Sequence, residues 1–253
     1  MSQTIYSALV QAKENREKKI AVLIDPDQIK QNNIDRVLQL ASTAGVDYIF
    51  LGGSLVVSDM MSSCIKSIRN HIDVPVILFP GDISQINHEA DALLFLSLIS
   101  GRNPDLLIGK HIVAAPLLKK SPLEVISTGY MLFDGGNVTT AIYMSGSLPI
   151  PVEKIDIAVC TAMAGEMLGL KMIYMDAGSG AKQPIPENMI ASVSQNITIP
   201  LIVGGGIKTP EKALANVKAG ADVIVVGNAF EKDPSLIFEI AEAVHSQNRI
   251  YNS

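Results

Sequence analysis

Two glycine turns, one helix apart near the end of the chain, limit the possible folds more than any other feature. Residues 200–228 read PLIVGGGIKTPEKALANVKAGADVIVVGN, so the apolar segments 200–203 and 223–226 each run into glycine. Glycine lets a ligand approach the backbone, and N–H groups in front of a helix bind anions. In a (β/α)8 barrel, the loops after strands seven and eight often hold a phosphate. Turns alone would also explain the glycines, but two in tandem favour a phosphate site.

The size and composition fit one α/β barrel that covers residues 1–253 as a single domain. The chain is 48% hydrophobic and 18% charged, which is enough apolar material for a large core. A net charge of −5 without a Lys/Arg block argues against nucleic acid. No apolar run reaches the roughly 18 residues that span a membrane, and no signal-peptide core is present. We therefore expect a cytoplasmic protein, and its apolar composition predicts a homo-oligomer.

Eight short apolar segments alternate with mostly helical patterns. The predicted strands are 20–24, 47–51, 75–79, 92–98, 124–132, 171–175, 200–203 and 223–226. The predicted helices are 4–18, 33–44, 55–70, a short one ending near 110, 152–168, 186–194, about 208–220 and 234–247, and 135–151 is a Gly/Ser/Thr-rich segment. Such alternation predicts a parallel sheet, and eight repeats predict closure into a TIM barrel. An open doubly wound sheet is the rival, but it should carry glycine after strand one, where Asp25-Pro26-Asp27 stands.

Asp25 ends the first predicted strand, and Ser54 follows two glycines after the second. Neighbouring barrel strands would bring both side chains into one pocket. A carboxylate and a hydroxyl, completed by waters and substrate oxygens, suit Mg²⁺. The alternative is a simple turn in which Asp25 caps the next helix. The residues alone leave the two interpretations evenly matched.

The sequence YMDAGSG follows strand six at residues 174–180. Side chains alternate along a strand, so Tyr174 and Asp176 point the same way. A buried carboxylate beside a phenol and a phosphate site can orient and deprotonate a hydroxyl group. Gly178 and Gly180 expose backbone N–H groups, and Ser179 adds a donor. The alternative is a glycine-rich turn with a hydrogen-bonded core aspartate.

The sequence gives little support for a Schiff-base lysine, a Ser/His/Asp set or a zinc site. Lys171 begins strand six, at the bottom of a barrel, whereas a Schiff-base lysine should lie near the top. No Ser/His/Asp set is readable, and no zinc-ligand spacing appears.

The chain resembles the geranylgeranylglyceryl phosphate synthase family, which includes the heptaprenylglyceryl phosphate synthases, almost from end to end. The combination of DPD, GGS, SGRNP and Y-x-[acid]-AGSG is the specific part, because the glycine blocks near the end occur in other phosphate-binding barrels. The matching motifs are LIDPDQ (23–28), FLGGS (50–54), LFPGD (78–82), SLISGRNP (97–104), YMDAGSGA (174–181), IVGGGIKTPEKA (202–213) and VIVVGNAF (223–230).

The resemblance implies a prenyltransferase that joins sn-glycerol 1-phosphate to a long prenyl diphosphate through an ether bond and releases diphosphate. It implies Mg²⁺ at Asp25 and Ser54, with Asp176 and Tyr174 as catalytic residues. Geranylgeranyl diphosphate is the expected donor, although the sequence does not determine chain length. A lipid product makes a transient contact with a membrane surface plausible. The implied glycerol phosphate contacts are Tyr174, Met175, Asp176, Ala177, Gly178, Ser179, Gly180, Gly205, Gly206, Gly227 and Asn228.

Two residues depart from the family pattern. Asp176 stands where the family commonly has glutamate, so its carboxylate is one methylene shorter. Gln28 stands where the family often has lysine, which removes a positive charge that would help a diphosphate to leave. Either another cation serves, or that lysine matters little.

The prenyl chain also requires an apolar groove. Residues 130–151 contain apolar side chains that could line it or belong to ordinary core and loop, namely Tyr130, Met131, Phe133, Ile142, Tyr143 and Met144. Two other functions share parts of this pattern. An isomerase or lyase of a small phosphorylated substrate would need neither metal nor groove, and a binding module would release no diphosphate.

Overall fold

The computed structural model describes residues 4–28 and 31–251 and shows a closed barrel of eight parallel strands. Strands pair in sequence order, and β8 pairs with β1 to close the barrel. The strands are β1 Lys19–Ile24, β2 Tyr48–Leu51, β3 Val76–Leu78, β4 Ala92–Leu98, β5 Glu124–Leu132, β6 Met172–Asp176, β7 Leu201–Gly204 and β8 Val223–Val226. The predicted barrel is confirmed, and the open-sheet alternative is wrong.

Helices connect the strands, and several begin at the caps that the sequence provides. Thr209 accepts a hydrogen bond from Lys212 N, and Pro210 occupies the first helical position of α8, where no partner for its nitrogen is needed. The helices are α1 Ile5–Glu14, α2 Gln31–Ala44, α3 Met61–His71, α4 Lys110–Lys119, α5 Thr140–Ser145, α6 Ile155–Met167, α7 Glu187–Ser194, α8 Pro210–Lys218, α9 Asn228–Lys232 and α10 Leu236–Tyr251. Among the described residues, no helix has the length and apolar character needed to cross a membrane.

The alternation of side chains along the strands divides the core into two layers. In β6, Met172 and Tyr174 join the cluster inside the barrel, whereas Ile173 and Met175 join the cluster between the sheet and the helices. Both layers are apolar, which explains why the strands are continuous hydrophobic runs. The polar side chains that carry chemistry therefore concentrate where the strands end.

Helix α1 covers the amino-terminal end of the barrel. Its Leu9 packs into the cluster inside the barrel, and the Glu124 carboxylate accepts hydrogen bonds from Ile5 N at 2.7 Å and Tyr6 N at 3.0 Å. Lys171 Nζ lies 5.0 Å from the centroid of the Tyr6 ring. Lys171 thus sits at the barrel floor, as predicted, far from the loops that follow the strands.

The structure corrects three helix predictions. Helix α1 stops at Glu14, near Arg16 with its positive φ of 59°, and so does not extend to 18. Residues 55–60 form an irregular loop, and α3 begins only at Met61. The helix predicted to end near 110 instead passes from a π-helical turn, Asp105–Gly109, into α4. Pro116 lies inside α4, where proline is unfavourable, but burial of Ala114 and Leu118 outweighs that local preference.

Candidate active site

Asp176 is the most buried acidic group among the loops at the carboxyl end of the barrel. It ends β6 and is 6% exposed. Its Oδ2 accepts a hydrogen bond from the Tyr130 hydroxyl at 2.6 Å, and its Oδ1 accepts one from Gly178 N at 2.7 Å. Burial raises the pKa of Asp176, and these two hydrogen bonds oppose the rise. The carboxylate is therefore a better proton acceptor than an exposed aspartate.

The sequence interpretation assigned Tyr130 only to a groove and missed its bond to Asp176. Tyr130 lies opposite Tyr174 in the register of β5 and β6, and the two ring centroids are 5.5 Å apart. The alternation of inward and outward side chains along β5 could have shown that Tyr130 points into the barrel near the carboxyl end of this strand. It could not show which acid the hydroxyl meets.

Tyr174 is almost fully buried and packs inside the barrel mouth. Its ring stacks on Phe79 with centroids 5.1 Å apart, and a Cβ placed on Gly204 would lie 2.7 Å from its hydroxyl oxygen. Burial and the charge of Asp176 raise the pKa of Tyr174 well above its usual value, so the phenol is neutral. The catalytic role of Tyr174 stays a prediction, and its visible contribution is to shape the floor beneath Asp176.

The loops after β6, β7 and β8 meet, as the glycine pattern predicts. Gly205 has φ of +80°, and a Cβ there would lie 2.7 Å from Asp176 Oδ1 and 2.7 Å from Gly178 N. On the other side, Ser179 Oγ donates a hydrogen bond to Asn228 Oδ1 at 2.7 Å. The three loops therefore form one continuous surface next to the buried acid. We call this surface the glycine cradle; its members are Gly178, Ser179, Gly180, Gly205, Gly206, Gly227 and Asn228.

Two predicted substrate contacts point away from this surface. Met175 and Ala177 are fully buried in the layer between the sheet and the helices. Only their main-chain atoms face the loops, so any contact with a ligand must come from the backbone.

Asp25 and the loop carrying Ser54 lie together across β1 and β2. A Cβ placed on Gly53 would lie 2.9 Å from Asp25 Oδ2, so Gly53 must stay small for the loop to pass the carboxylate. Asp25 accepts hydrogen bonds from Asp27 N at 3.0 Å and from Gln28 Nε2 at 2.8 Å. Burial raises the pKa of Asp25, and no salt bridge in the described part of the chain includes it.

This donor set fits magnesium. Mg²⁺ takes one or two protein carboxylates and completes its shell with waters and substrate phosphates. Asp25 is a partly buried acid, no cation pairs with it among residues 4–28 and 31–251, and Ser54 follows the glycine that packs against it. Within residues 4–28 and 31–251, no three His, Cys, Asp or Glu side chains form a metal cage. A metal held here would therefore depend on ligand oxygens as well as on Asp25 and Ser54.

Asp27 holds the loop that follows Ser54 in place through hydrogen bonds. Its carboxylate accepts hydrogen bonds from Val57 N at 2.7 Å and Ser58 N at 3.0 Å, and from the Ser58 hydroxyl. These bonds explain why residues 55–60 are not helical, because the loop is tied to the end of β1. The second acid of the DPD motif thus positions the neighbouring loop.

An apolar cavity of about 310 Å³ opens beside Ser54. Of the predicted groove residues, Tyr130 and Met144 line it, whereas Met131 and Phe133 are buried in the outer core layer and Tyr143 is mostly exposed. Residues 130–151 therefore supply part of the lining, and the rest comes from the loops after β2 and β3, from β4, and from α4 with the turn before it. Apolar lining residues outside the predicted segment include Phe79, Leu94, Phe95, Leu96, Leu106 and Leu118.

Tyr130→Phe should shift the acidic limb of the pH–activity profile to higher pH. The Tyr130 hydroxyl lowers the pKa of Asp176, so its removal raises that pKa further while the ring packing remains. The predicted base Asp176 must be deprotonated to act, so on acidification the active fraction of Tyr130→Phe should fall at a higher pH than that of the parent protein. The pH dependence of kcat/KM checks this. An unchanged acidic limb would show that Asp176 is not the group that titrates.

Comparison with known proteins agrees with the geometry. Residues 13–244 match the PcrB family. A Chitinophaga pinensis protein named geranylgeranylglyceryl phosphate synthase is 56% identical over 246 residues, which cover 97% of this chain and 98% of that protein. A protein of the same name from Thermococcus gammatolerans is 40% identical over 228 residues, with 90% of each chain covered.

Solved structures are also closely similar, and one of them holds a ligand. It is the crystal structure of (S)-3-O-geranylgeranylglyceryl phosphate synthase from Thermoplasma acidophilum in complex with its substrate sn-glycerol-1-phosphate. The TM-score is 0.91 at 32% sequence identity, with 97% of this chain and 100% of that chain covered. These relatives confirm the resemblance inferred from the motifs, and the chain belongs to the PcrB family.

Proposed function

We propose that this protein is a prenyltransferase that joins sn-glycerol 1-phosphate to a long-chain prenyl diphosphate, with geranylgeranyl diphosphate as the donor. The product is an ether-linked prenylglyceryl phosphate for lipid synthesis, and diphosphate is released. One observation carries the proposal: a buried acid, Asp176, lies at the same barrel end as a glycine cradle and an apolar cavity. The names of the relatives supply the two substrates.

The acceptor binds by its phosphate at the glycine cradle. Glycines there bring main-chain N–H groups close to an anion, and Ser179 and Asn228 add polar atoms. Gly205 touches Asp176, so a glycerol phosphate held in the cradle has its free hydroxyl within reach of the carboxylate. Asp176 accepts the hydroxyl proton as the oxygen bonds to the first carbon of the prenyl chain, and the carbon–oxygen bond to diphosphate breaks.

The donor lies with its apolar chain in the cavity and its diphosphate near Ser54 and Asp25. The cavity lining is mainly aromatic and aliphatic, which suits an isoprenoid chain and not a small sugar phosphate. Mg²⁺ held by Asp25 and Ser54 would neutralise charge on the departing diphosphate. Positioning and charge neutralisation then account for most of the rate acceleration, since neither substrate needs a covalent bond to the protein.

The decisive experiment measures diphosphate release from the purified protein. The reaction contains Mg²⁺, sn-glycerol 1-phosphate and geranylgeranyl diphosphate, with the sn-3 enantiomer and an EDTA sample beside it. We expect release that requires the metal and prefers the sn-1 form. Absence of release with every prenyl diphosphate, in folded protein that binds glycerol phosphate, would reject prenyl transfer. An isomerase or lyase reaction on a small phosphorylated substrate would then be the function to test.

Self-association and contact with a membrane surface stay predictions. Four exposed apolar residues lie on the outer side of α4 and on the π-helical turn before it, which is consistent with either event. These residues are Ile108, Ile112, Val113 and Leu117.

A further inference from the structure

We infer that Lys110 binds the diphosphate group of the prenyl donor and that Asp82 is its counter-ion when no donor is bound. The inference deepens the proposed function and rests on it. It starts from the ion pair between Lys110 Nζ and Asp82 Oδ2, which are 2.5 Å apart. Both residues line the apolar cavity.

The cavity needs a positive charge if it receives a diphosphate, and Lys110 is the one Lys or Arg among the described residues that line it. Asp82 is likewise the one carboxylate in that described lining. His111 is also present, but burial lowers its pKa and keeps it neutral. The remaining lining residues are apolar or uncharged. A lysine ammonium group is an effective point-charge partner for phosphate oxygens.

Backbone packing places this ion pair next to the predicted metal site. A Cβ on Gly81 would lie 2.5 Å from Gly53 O and 2.8 Å from Ser54 O, so the loop after β3 rests directly on the loop after β2. Asp82 is the next residue and holds Lys110 at the start of α4. Ser54 and the Lys110 ammonium group therefore lie on the same side of the cavity mouth.

Within the described part of the β1 loop, residues 25–28, no side chain is a cation. Gln28, whose side chain bonds to Asp25 in that loop, donates an amide hydrogen bond and carries no charge. A diphosphate bears more negative charge than one divalent metal neutralises. Lys110 supplies the additional positive charge from α4, next to the loop that carries Ser54.

Lys110 can readily leave Asp82 and bind the diphosphate instead. The side chains of Lys110 and Asp82 are 41% and 50% exposed, and exposed ion pairs contribute little to stability. A multiply charged diphosphate attracts the ammonium group more strongly than a single carboxylate does. Asp82 then competes with the donor, so its charge should weaken donor binding.

This competition predicts opposite effects for the two partners. The experiment measures binding of geranylgeranyl diphosphate with Mg²⁺ and without glycerol phosphate, and binding of geranylgeraniol in detergent as the uncharged probe. Lys110→Met should weaken diphosphate binding by about tenfold or more and leave alcohol binding unchanged. Lys110→Arg should retain most of the affinity. Asp82→Asn should bind the diphosphate as tightly as the parent protein or more tightly.

A purely structural ion pair would behave differently. Lys110→Met and Asp82→Asn would then weaken the binding of the diphosphate and of the alcohol alike, with any loss of thermal stability shared by both variants, which would overturn the inference. Unchanged diphosphate affinity in a folded Lys110→Met protein would also overturn the inference. That result would not contradict the proposed prenyl transfer. If the parent protein itself binds no prenyl diphosphate, the proposed function fails and the inference fails with it.

Discussion

Asp176→Asn is expected to lower kcat for prenyl transfer by about 10²–10⁴-fold, the usual contribution of a positioned general base. Asparagine keeps the size of the side chain and an acceptor oxygen, but it cannot take the hydroxyl proton. Affinity for glycerol phosphate should change little, because the cradle consists of backbone and of side chains on other residues. Steady-state kinetics and calorimetric titration with glycerol phosphate measure the two quantities separately.

Asp176→Glu is the matched control, since it keeps a carboxylate at this position. It should retain much more activity than the asparagine variant, with losses arising from the extra methylene in a tightly packed site. In the parent protein, kcat/KM should fall on the acidic side at a pH above the ordinary aspartate range, because burial raises the pKa of Asp176. Near-normal turnover by Asp176→Asn with intact binding would reject Asp176 as the base.

Gly205→Ala is expected to abolish measurable glycerol phosphate binding and to destabilise the protein by about 2–5 kcal/mol. A φ of +80° is strained for any residue with a Cβ, which costs roughly 1–2 kcal/mol. The added methyl group would also lie 2.7 Å from Asp176 Oδ1 and from two backbone nitrogens, and such overpacking costs about 1–3 kcal/mol more. Either the loop after β7 or the Asp176 loop must move, and both belong to the site.

Gly169→Ala is the control that measures the cost of backbone strain without the steric clash expected in Gly205→Ala. Gly169 has a similar φ of +84° and follows α6 away from the site, and a Cβ added there would meet no neighbouring group within 4 Å. We expect a loss of about 1–2 kcal/mol and unchanged glycerol phosphate affinity. Thermal unfolding and calorimetric titration of both variants test the difference. Equal destabilisation with intact binding in Gly205→Ala would show that the two loops do not form one cradle.

Short sequence patterns predicted the strands and helices whose formation depends on residues close together in the chain. The continuous apolar runs indicated eight parallel strands, because both faces of each strand are covered in a barrel. The helix predicted from about residue 208 corresponds to α8, which begins at Pro210 after the Thr209 cap. The same logic failed for residues 55–60, where Asp27 from another loop overrides the helical pattern.

Individual side-chain contacts between distant segments could not be predicted from the sequence. The bond between Tyr130 and Asp176 joins residues on two strands, and its existence depends on the register of β5 and β6. The ion pair between Asp82 and Lys110 depends on where α4 lies after a π-helical turn. Neither pair has a spacing that distinguishes it from other tyrosines, acids and lysines in the chain.

Residue patterns were enough to predict the barrel, the glycine turns and the placement of Asp25 and Asp176 at strand ends, because periodicity and backbone conformational preference act over a few residues. Which groups surround those acids, and which side chains line the apolar cavity, became visible only in the folded molecule. Closure of the barrel brings loops from distant parts of the chain to one end. Burial there, and not residue type, raises the pKa of Asp176.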